Sequence, residues 1–404
     1  MSNLPYRARP HDPLARFRRK IGENARAWLA FAQAHRPESA DLGRELANLD
    51  RAANQALLEP TAWPDGLALV VALWPFIEWH GYWLAWREVL DRALVVCRRL
   101  DDLAVEVEIT DELGELARSL GENPAALAWQ EQALNLARRL GNQAVIGRVL
   151  VHLSQQYLPQ GQYSAAKACC EEAIALLEPL GAGGEIASAY NNWGITYLEE
   201  GLMTPALAYL VLAESMFDAQ GNRRGQAKAI HNQGETYLRQ GLWAEAEPLY
   251  ERSIALATAA GDELGAVRSR ASLATLLHEQ GQHETALGIN HEIERFYRRL
   301  GDRRMLARVI NNQGAFFFKL SRWEEADQAF EQAAQIHLES GNLGEAATSV
   351  LNGAEILLDR GAREEALTRL QRAAEILDAM SSPWPDERQR HAALLGQAMD
   401  ERSE

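Results

Sequence analysis

The stretch from Gly181 to Gly221 reads GAGGEIASAYNNWGITYLEEGLMTPALAYLVLAESMFDAQG, and Gly201 separates two segments of helical length within it. Glycine recurs along the chain at positions 121, 141, 161, 181, 201, 221, 241, 261, 281, 301, 341 and 361, and Ser321 interrupts the series. Twenty residues hold a helix of about four turns and a short link, and glycine commonly ends helices in the left-handed conformation. The spacing therefore predicts units of 40 residues, each with a helix A, a turn, a helix B and a second turn.

Small residues recur at one position of each helix. Helix B carries Ala126, Ala166, Ala206, Ala246, Ala286, Ala326 and Ala366, and helix A carries Gly114, Ser154, Gly194, Gly234, Ala274, Gly314 and Ala354. Three residues after the helix-A position, six of the seven units have a larger side chain. A small residue lets a partner helix approach, and a large one fills the space beside it. This pattern resembles the tetratricopeptide repeat (TPR) family in its longer form, as seen in kinesin light chains and bacterial signalling proteins.

The fold predicted from this pattern is all-α. The resemblance implies a right-handed TPR superhelix, a solenoid of about eight helical hairpins with capping helices at both ends. We expect a disordered basic arm at 1–13, N-terminal capping helices at 14–60, a degenerate Trp-rich first repeat at 61–101, seven TPR units at 102–380 and a C-terminal capping helix at 381–404.

Composition restricts the partners that we expect. The net charge of -15 disfavours nucleic acid and anionic membranes, and the chain has no apolar run long enough to cross a bilayer. Its three cysteines lack metal-ligand spacing and suit a reducing compartment. We therefore expect a cytoplasmic protein with no nucleic-acid or membrane partner, no metal and no cofactor.

Residues 72–94, ALWPFIEWHGYWLAWREVLDRAL, resemble the junction at which the TPR array begins in bacterial STAND-type ATPase regulators. No lysine follows a glycine in the sequence, so the Gly-Lys pair of a phosphate-binding loop is absent. The resemblance implies a partner-binding array without its own ATPase. The tryptophans here either pack the first hairpin or form an exposed patch, including Trp79 and Trp83, that docks another domain.

The resemblance also implies that helix A lines a concave groove. In TPR families that hold extended peptides, asparagine two residues before the small position bonds the peptide main chain, because its amide both donates and accepts. This position carries Asn192, Asn232, Asn312 and Asn352. One helical turn earlier, a basic row carries Arg148, Lys228, Arg268 and Arg308. These eight residues are the predicted peptide-binding site, suited to a segment with acidic side chains or a free carboxylate.

The alternative is that both rows are structural. The basic residues would then pair with carboxylates such as Glu235, Glu279 or Glu355, and the asparagines would cap neighbouring helices. The spacing of His278 and His283 spans a turn, which disfavours a metal site.

We expect an adaptor or sensor that binds a protein or peptide, without catalytic residues. The alternative function is a regulatory subunit of a signalling or defence system that docks an effector through the Trp-rich segment. The sequence leaves the oligomeric state open.

Overall fold

The computed structural model describes residues 13–37, 39–380 and 384–400, so the predicted basic arm lies outside the described residues except for Pro13. Within these ranges the chain forms nineteen α-helices and no strand, which confirms the predicted all-α fold. The chain divides into two compact units, Met1–Gln240 with Arg252–Ala266 and Gly241–Glu251 with Val267–Glu404.

The helices follow one another with short links. The first unit contains α1 (Pro13–Ala34), α2 (Ala40–Leu58), α3 (Trp63–His80), α4 (Trp83–Leu100), α5 (Leu103–Ser119), α6 (Asn123–Leu140), α7 (Gln143–Gln156), α8 (Tyr163–Leu177), α9 (Gly183–Glu199), α10 (Met203–Ala219) and α11 (Arg223–Leu238). The division between the units passes through α12 (Trp243–Ala259) and α13 (Glu263–Glu279). The second unit continues with α14 (His283–Leu300), α15 (Arg303–Lys319), α16 (Trp323–Glu339), α17 (Leu343–Asp359), α18 (Arg363–Asp378) and α19 (Pro385–Asp400).

The turns explain the glycine series. Gly201, for example, has a φ of 77°, its N–H donates to the Leu198 carbonyl at 3.0 Å, and the Leu202 N–H donates to the Tyr197 carbonyl at 2.8 Å. These bonds satisfy carbonyls that the end of a helix leaves open. Asp101 and Ser321 take the same left-handed conformation, at φ 55° and 58°, so the turn persists where the glycine is missing.

The small residues lie at helix crossings, as the spacing predicts. All seven helix-B alanines are 0 % exposed. A Cβ atom at Gly194 would lie 2.7 Å from Cγ of Leu210, closer than packed side chains permit. Helix A therefore rests directly on helix B of its own unit.

The two ends of the array pack in different ways. Around α2, α3 and α4, large apolar side chains such as Leu49, Leu73 and Trp86 form a continuous core. At the other end, Leu394 and Ala398 of α19 pack into the core formed by α17 and α18. Among the described helices, no single helix has the length and apolar character to cross a membrane. The segments Ala40–Leu58 and Pro60–His80 together reach that length and apolar character, but the chain bends by 115° between them.

Candidate binding site

Arg148 begins the predicted basic row, and carboxylates of the preceding repeat already occupy it. Its Nη2 donates to Oε1 of Glu108 at 2.6 Å, and its Nε lies 3.5 Å from Oδ2 of Asp111. One turn later on α7, Nδ1 of His152 lies 2.9 Å from Oδ1 of Asp111. An acidic ligand at Arg148 would compete with two carboxylates of the protein itself, and the peptide-binding role of Arg148 stays a prediction.

Burial and charge shift several pKa values in this cluster. Burial lowers the pKa of His152, but Asp111 and Glu115 outweigh it and raise that pKa to about 9. Burial raises the pKa of Asp111, but His152 and Arg148 outweigh it and lower that pKa. Burial raises the pKa of Glu112 well above its ordinary value, and Glu108 and Asp111 add to the effect. An imidazolium–carboxylate pair therefore joins α5 to α7.

The asparagine row bonds the preceding repeat. Asn192 is 1 % exposed, its amide N–H groups donate to the Val151 carbonyl at 2.9 Å and to Oγ of Ser154 at 3.0 Å, and its oxygen accepts from Nε2 of Gln155 at 3.0 Å. The donors and the acceptor of this side chain are engaged within the chain, and the peptide-binding role of Asn192 stays a prediction. These contacts arise because a residue of helix A also faces the preceding helix A.

Two further asparagines of the row make the same contact with less burial. Nδ2 of Asn232 donates to Oδ1 of Asn191 at 2.9 Å, and Nδ2 of Asn352 donates to Oδ1 of Asn311 at 3.0 Å. The oxygen of Asn352 also accepts from Nη1 of Arg390 at 2.8 Å, so the last helix reaches this position. Asn232 and Asn352 are half-buried amides that link adjacent repeats through side-chain hydrogen bonds, not through the helix caps that the structural alternative expected.

Lys228 lies within the electrostatic reach of a carboxylate on the first hairpin. Burial raises the pKa of Glu78, but Arg224, Lys228 and His152 outweigh it and lower that pKa to about 2. Nη2 of Arg224 lies 3.1 Å from Oε1 of Glu78. Lys228 of the basic row thus lies near the Glu78 carboxylate of the same unit.

The tryptophans predicted to dock another protein are engaged within the first unit. Nε1 of Trp79 donates to the Gly261 carbonyl at 2.9 Å, and the Arg224 guanidinium lies 4.4 Å from its ring centre. Trp83 is 9 % exposed and packs against Trp74, with ring centres 5.9 Å apart. These contacts favour the packing alternative for both residues, and the docking role of Trp79 and Trp83 stays a prediction.

The predicted site residues in the second unit are more exposed to solvent than those in the first unit. Arg268 on α13 and Arg308 on α15 hold the same position in successive repeats, and both are exposed. Asn312 lies one turn after Arg308 on α15 and is also exposed. Three of the eight predicted residues therefore share an accessible helix-A face.

A third arginine that the sequence reasoning missed belongs to this group. Burial and Asp302 raise the pKa of Tyr297 to about 12, although Arg308, Arg268 and Arg304 act in the opposite direction. All three guanidinium groups therefore lie within electrostatic reach of one buried phenol. Arg304 precedes Arg308 by four residues, and this helical spacing would have revealed that they share a face.

His278 and His283 meet at the turn between α13 and α14. Nδ1 of His278 and Nδ1 of His283 lie 3.0 Å apart, and the ring of His278 also packs on Phe316, with ring centres 4.7 Å apart. Across the described ranges, no group of three or more His, Cys, Asp or Glu side chains could hold a metal ion.

Comparison with protein families decides the nature of the repeats. Three models described as tetratricopeptide repeats match residues 108–140, 147–176 and 225–299. The chain contains tetratricopeptide repeats. The TPR matches fall on the 40-residue units that the glycine spacing marks. A comparison with curated protein sequences finds no match.

Solved structures share this TPR fold at low identity. A STAND protein with a tetratricopeptide repeat sensor, PH0952 from Pyrococcus horikoshii, aligns with 94 % of this chain at 13 % identity and a TM-score of 0.58. This chain spans 54 % of the length of that protein. The apo form of RapI aligns with 74 % of this chain and 83 % of its own, at 13 % identity and a TM-score of 0.57. A Rap protein complexed with Competence and Sporulation Factor aligns with 93 % of this chain and 99 % of its own, at 13 % identity and a TM-score of 0.55.

Proposed function

We propose that this TPR chain is a non-catalytic protein-interaction module that holds an acidic segment of a partner protein on helix A of its second unit. Arg268 and Arg308 would attract carboxylates of the segment, and the Asn312 amide would bond its main chain. The adaptor would act in the cytoplasm, where its three free thiols stay reduced.

The difference in exposure between the two units carries this assignment. Arg148 is half-buried and Asn192 is 1 % exposed, whereas Arg268, Arg308 and Asn312 are exposed on the helix A of two successive repeats. An amide can both donate to and accept from an extended backbone. TPR repeats in this chain and the complex formed by a Rap protein of similar fold support a role in protein binding.

The expected energies are modest because the arginines are exposed. An exposed ion pair contributes about 0.2–1 kcal/mol, and a side-chain amide bond contributes about 0.5–1.5 kcal/mol. Together the three side chains would contribute about 1–3 kcal/mol, which corresponds to roughly a fivefold to 150-fold change in affinity. A single substitution would change affinity by only about twofold to fivefold.

The test is a selection of short peptides on the full chain, followed by affinity measurements by fluorescence anisotropy. We expect the selected peptides to be rich in Asp and Glu. The triple variant Arg268→Ala, Arg308→Ala and Asn312→Ala should weaken their binding by about fivefold or more.

The matched control removes the same charge from helix B of the second unit. Arg295 and Arg298 are both exposed on α14, and their double substitution by Ala should leave affinity within about twofold. Equal losses in the triple variant and the control would show that only net charge matters. Selected peptides without acidic residues would contradict the proposal directly.

A further inference from the structure

Side chains 40 residues apart on neighbouring A helices reach each other. In the first unit, Nη2 of Arg148 on α7 lies 2.6 Å from Oε1 of Glu108 on α5. At the end of α11, Nη2 of Arg239 lies 2.6 Å from Oε1 of Glu199 on α9. Equivalent side chains of successive repeats can therefore come within ion-pair distance.

The second unit carries two cations where the first unit holds an ion pair. Arg268 on α13 and Arg308 on α15 are 40 residues apart, occupy the same position of the repeat as Glu108 and Arg148, and are both exposed. Within the described ranges Arg308 forms no salt bridge, and its Nη1 lies 3.9 Å from the Met305 sulfur. Two guanidinium groups placed in this way repel each other, and an anion between them would remove the repulsion.

Arg304 adds a third guanidinium group to this place. Arg268, Arg304 and Arg308 all act on the phenol of Tyr297, which is 6 % exposed on α14. Arg304 and Arg308 also act on the imidazole of His337 on α16. Because Arg304 precedes Arg308 by one helical turn and is partly exposed, the three groups surround one accessible point at the start of α15.

The carboxylates near this point have other tasks or are outnumbered. Asp302 acts on the Tyr297 phenol as well, but its Oδ1 accepts the Met305 N–H at 2.9 Å and caps α15. Glu345 acts on His337, together with the two arginines of α15. Since three arginines and Asp302 act on the Tyr297 phenol, positive charge is in excess there.

A phosphoryl group suits three guanidinium groups better than a carboxylate does. A carboxylate carries one negative charge and two oxygens, whereas a phosphorylated side chain carries about 1.5 to 2 negative charges at pH 7 and three acceptor oxygens. The planar fork of arginine matches pairs of phosphate oxygens. Clusters of arginine are a recurring means of recognising phosphorylated segments.

We propose that Arg268, Arg304 and Arg308 bind a phosphorylated side chain of the partner segment at the start of α15. This inference rests on the proposed function, since it names the group that the acidic segment presents to the second unit. The phosphoryl group lies between Arg268 and Arg308, and Arg304 reaches it from the preceding turn. Asn312, one turn after Arg308, then bonds the main chain beside the phosphorylated residue.

The test uses the full chain and three fluorescein-labelled peptides of one Asp- and Ala-containing sequence, with Ser, Glu or phosphoserine at the centre. Fluorescence anisotropy should show the phosphoserine peptide binding about fivefold or more tightly than the Glu peptide. Equal affinities for these two peptides would overturn this inference and leave the acidic-segment proposal standing. Failure of all three peptides to bind would overturn both.

The pH dependence isolates the second phosphate charge. The second pKa of a phosphorylated side chain is about 6, whereas that of Glu is about 4.3. The affinity ratio of the phosphoserine peptide to the Glu peptide should therefore fall about twofold or more between about pH 7.5 and 5.5. Titration of the protein itself affects both peptides, so the ratio reports the phosphate. An unchanged ratio would overturn the inference.

Arg304 and its neighbour Arg303 form a matched pair of variants. Arg304→Ala should reduce the preference for phosphoserine over Glu to about twofold, and should change the affinity of the Glu peptide by less than about twofold. Arg303 is also exposed but is paired with Glu339, so Arg303→Ala removes the same charge and should leave the preference unchanged. Equal reductions in both variants would overturn the inference, because only net charge would then matter.

Two measurements keep the inference testable if Arg304→Ala does not fold. The comparison of the three peptides on the unmodified chain needs no variant. Arg304→Lys keeps the charge and removes the guanidinium fork, so it should bind the phosphoserine peptide about twofold more weakly and the Glu peptide as the wild type does. Tighter binding of the phosphoserine peptide by Arg304→Lys than by the wild type would contradict the role of the fork.

Discussion

The stability of the first unit should fall as pH rises from about 6.5 to about 9, because of His152. Burial disfavours the charged imidazole, but Asp111 and Glu115 raise its pKa from 6.5 to about 9. A group whose pKa is higher in the folded state stabilises that state fully below its unfolded pKa. The stabilisation is then lost as pH rises through the folded pKa.

The size of this effect follows from the shift and the exposure. A pKa difference of about 2.5, from 6.5 to about 9, corresponds to at most about 3.4 kcal/mol. The His152 side chain is 30 % exposed, so water screens part of the interaction. We therefore expect a loss of about 1–2 kcal/mol between pH 6.5 and 9.

The assay pairs an NMR titration of the His152 imidazole with urea unfolding at a series of pH values. The His152→Asn variant introduces asparagine, the residue found at the equivalent position of later repeats in Asn192 and Asn232. This variant should be less stable than the wild type at pH 6 but should lack the decline between pH 6.5 and 9. An imidazole pKa at or below 6.5, or an equally steep decline in the variant, would refute the electrostatic account of the Asp111 contact.

Three further changes test individual contacts. Ser321→Gly should raise stability by about 0.5–1 kcal/mol in thermal unfolding, since φ at this residue is 58°, and an unchanged melting temperature would contradict this. Asn192→Ala should cost about 1–3 kcal/mol because it leaves buried groups unpaired, while the affinity for acidic peptides should not change. Arg224→Met leaves the carboxylates of Glu78 and Asp262 without this cation and should cost about 2–4 kcal/mol. Faster hydrogen exchange at the end of α3 would report that loss, and unchanged exchange would show that the Trp79 contact alone holds the helix.

The repeat spacing was sufficient to predict the turns and the helix crossings. A left-handed turn every twenty residues and a small residue where two helices cross are local requirements, and both appear directly as Gly and Ala in the sequence. Ser321 shows the limit of this inference, because a non-glycine residue takes the same turn when the surrounding helices hold it there.

The accessibility of the predicted site depended on contacts between repeats. Spacing placed Arg148 and Asn192 on helix A, but it did not show which group of the preceding helix A would face them. Several of the observed pairs join residues 40 or 41 positions apart, including Arg148 with Glu108 and Arg239 with Glu199. A search for opposite charges at this separation would have found them.

The contacts of the first hairpin were beyond any local pattern. Glu78 meets Arg224 across 146 residues, and Trp79 meets Gly261 across 182 residues. Such contacts depend on the total rotation that accumulates over several repeats. The repeat period in the sequence does not give the rotation angle between one repeat and the next. The tryptophan-rich composition was visible in the sequence, but the partner of each ring was not.

Hydrogen exchange of the full chain with a selected acidic peptide tests the central claim most directly. If an acidic segment lies along Arg268, Arg308 and Asn312, amides in α13 and α15 should exchange more slowly when the peptide is bound, and raising the salt concentration should remove the protection. Protection confined to α7, α9 and α11, or protection that persists at high salt, would contradict the assignment of the binding site to the second unit.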